Sequence, residues 1–398
     1  MIQNAVKSPY TAVKPIHPLQ NQWTGGLWKE RFDTCKTVTI PHIRQLFEDE
    51  SSFHVVENFR IAAGQKEGHF KGTPFGDGDF YKWMEGAILT AALSKDADML
   101  AQIDAYIALI AEAQLEDGYI STKQIIGERQ GNGVVRQGDI NDFEVYNIGH
   151  LLTAACLHYK TTGKTNFMDV AQKAAQYLKH LYEEAARTKE VKTAVCPSHY
   201  MGLIEMYRTT GQEEYLRLAE LSINLRDSVQ NGLDDNQDRI PLRTHDKIVG
   251  HAVRSTYLYA GVADLYAETG EKALYDMLHR VWASCIHKKI YITGGVGALY
   301  NGVSPYGNFW HDQKMHPAFG YEYQLPNITA YNETCAALGN VFWNYRMFLL
   351  EPRAVYFDWI ERTLLNVALS AINLEGNKYF YENMLRRTKK LDYELCWP

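Results

Sequence analysis

The residue types best suited to chemistry crowd into one stretch, HPAFGYEYQLPNITAYNETCAALGNVFWNYRMFL, which begins at His316. Within it Glu333 and Cys335 stand two positions apart, directly before an apolar run of helical periodicity. A carboxylate and a thiol so placed can both ligate zinc, which accepts mixed oxygen and sulfur donors and lowers the pKa of a bound thiol. Two donors do not complete a site, and spacing assigns no third. The same residues also read without any chemistry, with Asn332 or Thr334 capping the helix and Cys335 as an ordinary buried small residue.

Other polar residues stand in apolar or loop settings. His251 and Arg254 of GHAVRSTYLYAGVADLY are three positions apart on a strongly apolar helix, so one face presents both to a sugar hydroxyl or carboxylate, or the core simply satisfies them. NIGHLL places His150 near Tyr146 and Glu144. FGDGDFYKWMEG offers Asp77, Asp79 and Glu85, but not the ladder of oxygen donors that a calcium loop needs. Asp358 and Glu361 lie one helical turn apart, suited either to lining a pocket or to solvating a helix. The glycines of TGGVGALYNG lack the lysine and the strand–turn–helix setting of a phosphate loop. Neither G-x-S-x-G nor H-E-x-x-H occurs.

Positioning such residues falls to helices. TGGLWKERFDTCKTVTIPHIRQLFEDE reads as a helix interrupted near Pro41. YKWMEGAILTAALSKD and ADMLAQIDAYIALIAEAQLEDGYI read as two helices joined by a short turn, the second ending at Asp117-Gly118. HYKTTG (158–163), MYRTTG (206–211) and LYAETG (265–270) each close an apolar helix and each precede another. This repeat predicts helical hairpins, with an inward-packed tyrosine and a glycine stop before each return helix. Long, unequal, aromatic-rich loops favour closure into an all-α double-layered barrel over an open solenoid. Strands are sparse; KIYITGG (289–295) and NKYFYENML (377–385) are the candidates.

The 398 residues are 46% hydrophobic, enough for one large core, and a net charge of −6 without a basic stripe speaks against nucleic acid. The 26 Tyr, 15 Phe and 8 Trp can serve as sugar platforms, though such rings more often fill gaps between helices. Six scattered cysteines fit neither a zinc knuckle nor a disulfide scaffold and suit a reducing compartment. No apolar segment is long enough to span a membrane and no leader is visible, so the chain reads as cytoplasmic, or as exported if a leader has been removed. A homodimer is compatible with this composition. The C-terminal KKLDYELCWP has the look of a cut through a loop or strand.

Taken in order, DGDFYKWMEG, AQLEDGYI, GHAVRSTYLYAGVADL, YITGGVGA, AFGYEYQLPNITAYNETCAA and IERTLLN resemble the β-L-arabinofuranosidase family of glycoside hydrolases. The resemblance runs from about residue 20 to 385. It implies an N-terminal arm over 1–20, an (α/α)6 barrel over 21–385 with minor β-hairpins, and the start of a following segment at 386–398, with downstream β-sandwich domains apart from this chain. It further implies a retaining hydrolase that removes terminal β-L-arabinofuranosyl or related residues from plant glycans. In such enzymes a glutamate and three cysteines hold zinc, one of those cysteines is the nucleophile, and a separate glutamate is the acid. Carried over, Glu333 and Cys335 match the first two zinc ligands, His150 and His251 match substrate-contacting histidines, and Glu361 matches a glutamate that contacts the sugar. His199 of CPSHYMGLIEMYR is shifted from the matching position.

Two positions depart from the family. Its acid falls at Pro317, which cannot donate a proton, leaving His316 and Glu322 as nearby substitutes. Its Cys-Cys-Pro segment belongs downstream of this helix region and the single cysteine of Cys396-Trp397-Pro398 falls short of it, so the expected site is incomplete in this chain, with Cys396 a weak candidate for the nucleophile. The alternatives to an oligosaccharide or polysaccharide hydrolase are a non-catalytic glycan-binding barrel and, by fold analogy, a sugar epimerase or polysaccharide lyase.

Overall fold

The computed structural model describes residues 4–303 and 314–386. They form two compact units. One comprises residues 4, 15–188 and 201–221; the other comprises 5–14, 189–200 and the described residues from 222 onward. The first holds α1 (Gly26–Thr34), α2 (Ile40–Glu48), α3 (Val55–Ala62), α4 (Gly76–Ser94), α5 (Ala97–Ala113), α6 (Thr122–Gln130), α7 (Glu144–Thr162), α8 (Asn166–Thr188) and most of α9 (Ser198–Thr210) and α10 (Glu213–Asn224). The second holds α11 (Ala252–Thr269), α12 (Lys272–Lys288), α13 (Thr334–Leu350) and α14 (Ala354–Thr363). This is the all-α, hairpin-built fold class expected for an (α/α)6 barrel.

The repeated glycines act as helix stops. Gly163, Gly211 and Gly270 adopt φ of 74°, 74° and 69°, in the left-handed region. Their N–H groups donate to the carbonyls of Tyr159, Tyr207 and Tyr266, satisfying acceptors that the helix end would otherwise orphan. Each stop is followed by a return helix, α8, α10 or α12. The repeat's tyrosine does not pack inward as expected. Tyr159 is exposed and Tyr207 and Tyr266 are half-buried, whereas the preceding residues His158, Met206 and Leu265 are buried. One step along a helix turns the side chain by about 100°, so the inward face belongs to the neighbour.

Three further expectations shift. The segment around Pro41 is bridged by a π-helical turn, Cys35–Thr39, instead of breaking, and the helix resumes at Ile40. A wider turn absorbs the carbonyl that proline's ring and missing N–H leave unmatched. α5 stops at Ala113, before Asp117-Gly118, although Gly118 does take φ 85°. A Cβ there would stand 2.1 Å from the Lys173 carbonyl oxygen, so glycine admits α8. The candidate strands are only isolated bridges, Ile290 with Val296 and Ile372 with Tyr379.

Close approaches give the helices their direction. In the first unit Gly202 lies against the Gly149 carbonyl and Leu152, and Thr209 lies beside Cys156, so α7 and α9 run the same way. In the second, Gly339 lies against Thr256 and the buried Arg346 Nε donates to Asp264 at 2.6 Å, so α11 and α13 are also parallel. Their N-termini, with their shared positive dipole ends, therefore meet at one end. There the backbone forms short hydrogen-bonded rows, Asp235 beside His251, His251 beside Ala318 and Ala318 beside Leu299. Leu299–Ala318 and Gly302–Met315 share one antiparallel register. Between them Pro317, without an N–H, cannot close the ladder.

Candidate active site

Glu333 is the N-cap of α13, buried, and accepts the Tyr381 hydroxyl on Oε1 at 2.5 Å. Burial first, then the nearby Cys335 and Glu333, raises the Tyr381 phenol far above its ordinary value, so it stays a donor. The capping alternative does not hold. Neither neighbour caps the helix: Asn332 Nδ2 donates to the Asn383 carbonyl, and Thr334 Oγ1 donates to that of Phe380. Cys335 is partly exposed. Residues 381–385 run along 327–334, through Thr334 N to Tyr381 O (2.9 Å), Asn383 N to Tyr331 O (2.9 Å) and Leu385 N to Asn327 O (3.0 Å). Glu382 follows, its carboxyl raised by burial.

A line of rings leads outward from this carboxylate. Tyr381 lies 6.4 Å from Tyr331, Tyr331 5.3 Å from His316, and His316 4.2 Å from Tyr300. His316 is exposed, and its Nδ1 lies 2.6 Å from the Tyr300 carbonyl oxygen. An oxygen that can only accept assigns the proton to Nδ1.

His251 is not on the apolar face of α11 but at its N-cap, where Nδ1 accepts from Val253 N at 3.2 Å and from Arg254 N at 3.5 Å. Desolvation, with Arg254 and His316 close by, holds this ring neutral well below the usual histidine range, leaving Nε2 as a donor. Arg254 is buried and its Nη1 meets Asp235 Oδ2 at 2.5 Å. Burial raises the Asp235 carboxyl against the pull of Arg254. The hydrogen-bonded rows therefore bring Asp235, His251, His316 and Tyr300 to one side of the second unit.

The remaining candidates sit as follows. Glu361 is exposed on α14, whose end is seated by Thr363 Oγ1 donating to the Gly294 carbonyl at 3.3 Å. A Cβ on Gly295 would meet Asn332 at 2.9 Å, so this glycine pair lies between α14 and the residues before Glu333. Glu322 is exposed and ion-paired with Lys288 at 2.8 Å, which lowers its carboxyl pKa. His199 is buried against Tyr200, and burial pushes it down to about 3. His150 belongs to the first unit, buried on α7 with its ring 4.6 Å from Tyr146, and its pKa is lowered well below the usual range by burial. Cys196 is buried. Cys396 lies outside the described residues.

Nothing in the spacing pointed to Tyr381, 48 positions beyond Glu333, or to Asp235 and Tyr300. As metal donors, Glu333 and Cys335 suit zinc as two of its ligands; among the described residues no cluster of three or more His, Cys, Asp or Glu gathers. For calcium, Asp77 is instead engaged by the Thr122 backbone N–H and hydroxyl, and Asp79 pairs with Lys82.

Residues 21–397 match the family model described as β-L-arabinofuranosidase, GH127 catalytic domain. The chain is 30% identical over 412 residues to a non-reducing end β-L-arabinofuranosidase of Bifidobacterium longum subsp. longum, covering 92% of this chain and 59% of that protein. Among solved structures it is similar to a GH127 β-L-arabinofuranosidase from Geobacillus stearothermophilus T6, with 30% identity, TM-score 0.81 and coverage of 93% and 59%. A GH127 β-arabinofuranosidase gives 34% identity, TM-score 0.83 and coverage of 96% and 58%. The chain thus spans about three fifths of the length of these relatives. Among the described residues no helix is long and apolar enough to cross a membrane.

Proposed function

Because the chain belongs to the GH127 β-L-arabinofuranosidase family of glycoside hydrolases, we propose that it carries the site of a retaining enzyme for terminal β-L-arabinofuranosyl, or related furanosyl, residues of plant glycans. The observation that supports this reading is the carboxylate–thiol pair Glu333 and Cys335 at the start of α13, in the same unit as the neutral His251. In this reading Glu333 and Cys335 would hold a zinc ion, which keeps a bound thiol ionised at neutral pH. Tyr381, whose hydroxyl donates to Glu333 Oε1, would orient that carboxylate.

The protein's own groups then divide the work. His251, with Nδ1 spent on the helix start, offers Nε2–H to a sugar hydroxyl. Retention takes two displacements. A cysteine sulfur bonds to the anomeric carbon as the aglycone oxygen leaves with a proton, and water then releases the sugar from sulfur. Cys396 is the candidate for that sulfur. His316 is the candidate proton donor: with Nδ1–H tied to the Tyr300 carbonyl, the doubly protonated ring carries a second proton on Nε2, which it would give to the departing oxygen where Pro317 cannot, becoming neutral as it does so.

The test is to purify the chain without chelator, measure zinc, and follow methyl and disaccharide β-L-arabinofuranosides by NMR. Bound zinc, release of the β-anomer first, and loss of both zinc and turnover in Cys335→Ala are expected. A folded, zinc-loaded protein that hydrolyses no furanoside would overturn the hydrolase reading. Binding without turnover would then mark a glycan-binding protein, interconversion of free sugars an epimerase, and an ultraviolet-absorbing product a lyase.

A further inference from the structure

Tyr300 stands out among the site's rings because it is held in place yet left open. The residue is 54% exposed. The ring nevertheless lies edge-on to His316 at 4.2 Å and to Tyr331 at 5.3 Å, and its carbonyl is tethered by His316 Nδ1. Just before it, Leu299 exchanges both backbone hydrogen bonds with Ala318, at 3.1 and 2.9 Å. A large ring that is immobilised before any ligand arrives loses little entropy on binding, and an aromatic face suits the C–H face of a sugar.

We propose that Tyr300 is the stacking platform for the second sugar of the glycan, the one on the leaving side of the bond to be cut. The inference rests on the site reading above, and the passage from shielded rings to exposed ones supplies the direction. From the buried Glu333, the contacts pass through Tyr381 and Tyr331, both shielded, to the exposed pair His316 and Tyr300, each 5.3 Å from Tyr331 and 4.2 Å from one another. A furanosyl ring whose anomeric carbon lies near Glu333 and Cys335 turns its departing oxygen toward His316. The next ring along the glycan then lies over Tyr300. The ligand class is therefore a saccharide of at least two residues, with the second ring recognised by stacking and not by charge.

The experiment compares wild type, Tyr300→Phe and Tyr300→Ala on a β-L-arabinofuranosyl disaccharide and on the methyl glycoside, which has no second ring. An aromatic contact of this kind predicts a kcat/KM for the disaccharide that falls about five- to tenfold further in Tyr300→Ala than that for the methyl glycoside, with Tyr300→Phe close to wild type. Equal losses on both substrates, or none, would overturn the platform. If the wild type hydrolyses neither substrate, saturation-transfer NMR of the disaccharide separates the two readings. Transfer to the second ring that disappears in Tyr300→Ala upholds the platform although hydrolysis has failed. Transfer that persists, or the absence of any binding, refutes it.

Discussion

Replacing Asp264 by Asn tests how the two helices that carry the candidate site are held together. Arg346 of α13 and Asp264 of α11 are each only 2% exposed and meet at 2.6 Å, while Arg346 Nη1 also donates to the Phe342 carbonyl at 3.1 Å. The substitution keeps the shape of the side chain but removes the charge, so a guanidinium stays buried without its carboxylate. Breaking such a pair costs about 3–5 kcal/mol, a large share of the roughly 5–15 kcal/mol by which a domain is stable. Urea unfolding followed by circular dichroism should show the midpoint falling by that equivalent at unchanged slope. The double variant Asp264→Leu with Arg346→Met should recover most of the loss, because two apolar groups leave no charge stranded. A loss below about 1 kcal/mol in the single variant, or a double variant worse than the sum of the singles, would refute the argument.

Tyr381→Phe removes the 2.5 Å hydrogen bond to Glu333 and should weaken zinc binding about 10- to 100-fold, read by chelator competition; affinity within twofold of wild type would dismiss the orienting role. Glu144 is buried and its carboxyl is pushed up to about 7, by burial above all, although Tyr119 and Gln137 donate to it. A folded pKa above the unfolded one means that its contribution is intact below about pH 4.5 and is lost as pH rises through 7. Glu144→Gln should therefore gain about 3 kcal/mol on wild type between those pH values. The difference curve also cancels His199 and His245, which burial pushes down to about 3 and 4 and which lose stability in the opposite direction, as pH falls. A flat difference curve would show that the Glu144 carboxyl is ordinary.

What could be read along the chain was local. Apolar periodicity marked the helices, and T-T-G or E-T-G marked their ends, because a helix stop is decided within about five residues by which one tolerates a positive φ. The adjacency of Glu333 and Cys335 was visible for the same reason, since two positions at a helix start share a neighbourhood whatever the rest of the fold does. Packing between distant segments decided the rest. Spacing alone put His251 on a helix face, but the backbone row beside Ala318 holds it extended, as the cap of α11. Tyr381 reaches Glu333 only because residues 381–385 return along 327–334. The inward face of each repeat fell to His158, Met206 and Leu265 and not to the tyrosines, a choice set by the phase at which neighbouring helices meet. Period and capping are properties of a few consecutive residues, whereas the partners of a buried carboxylate depend on which segments the completed core brings side by side.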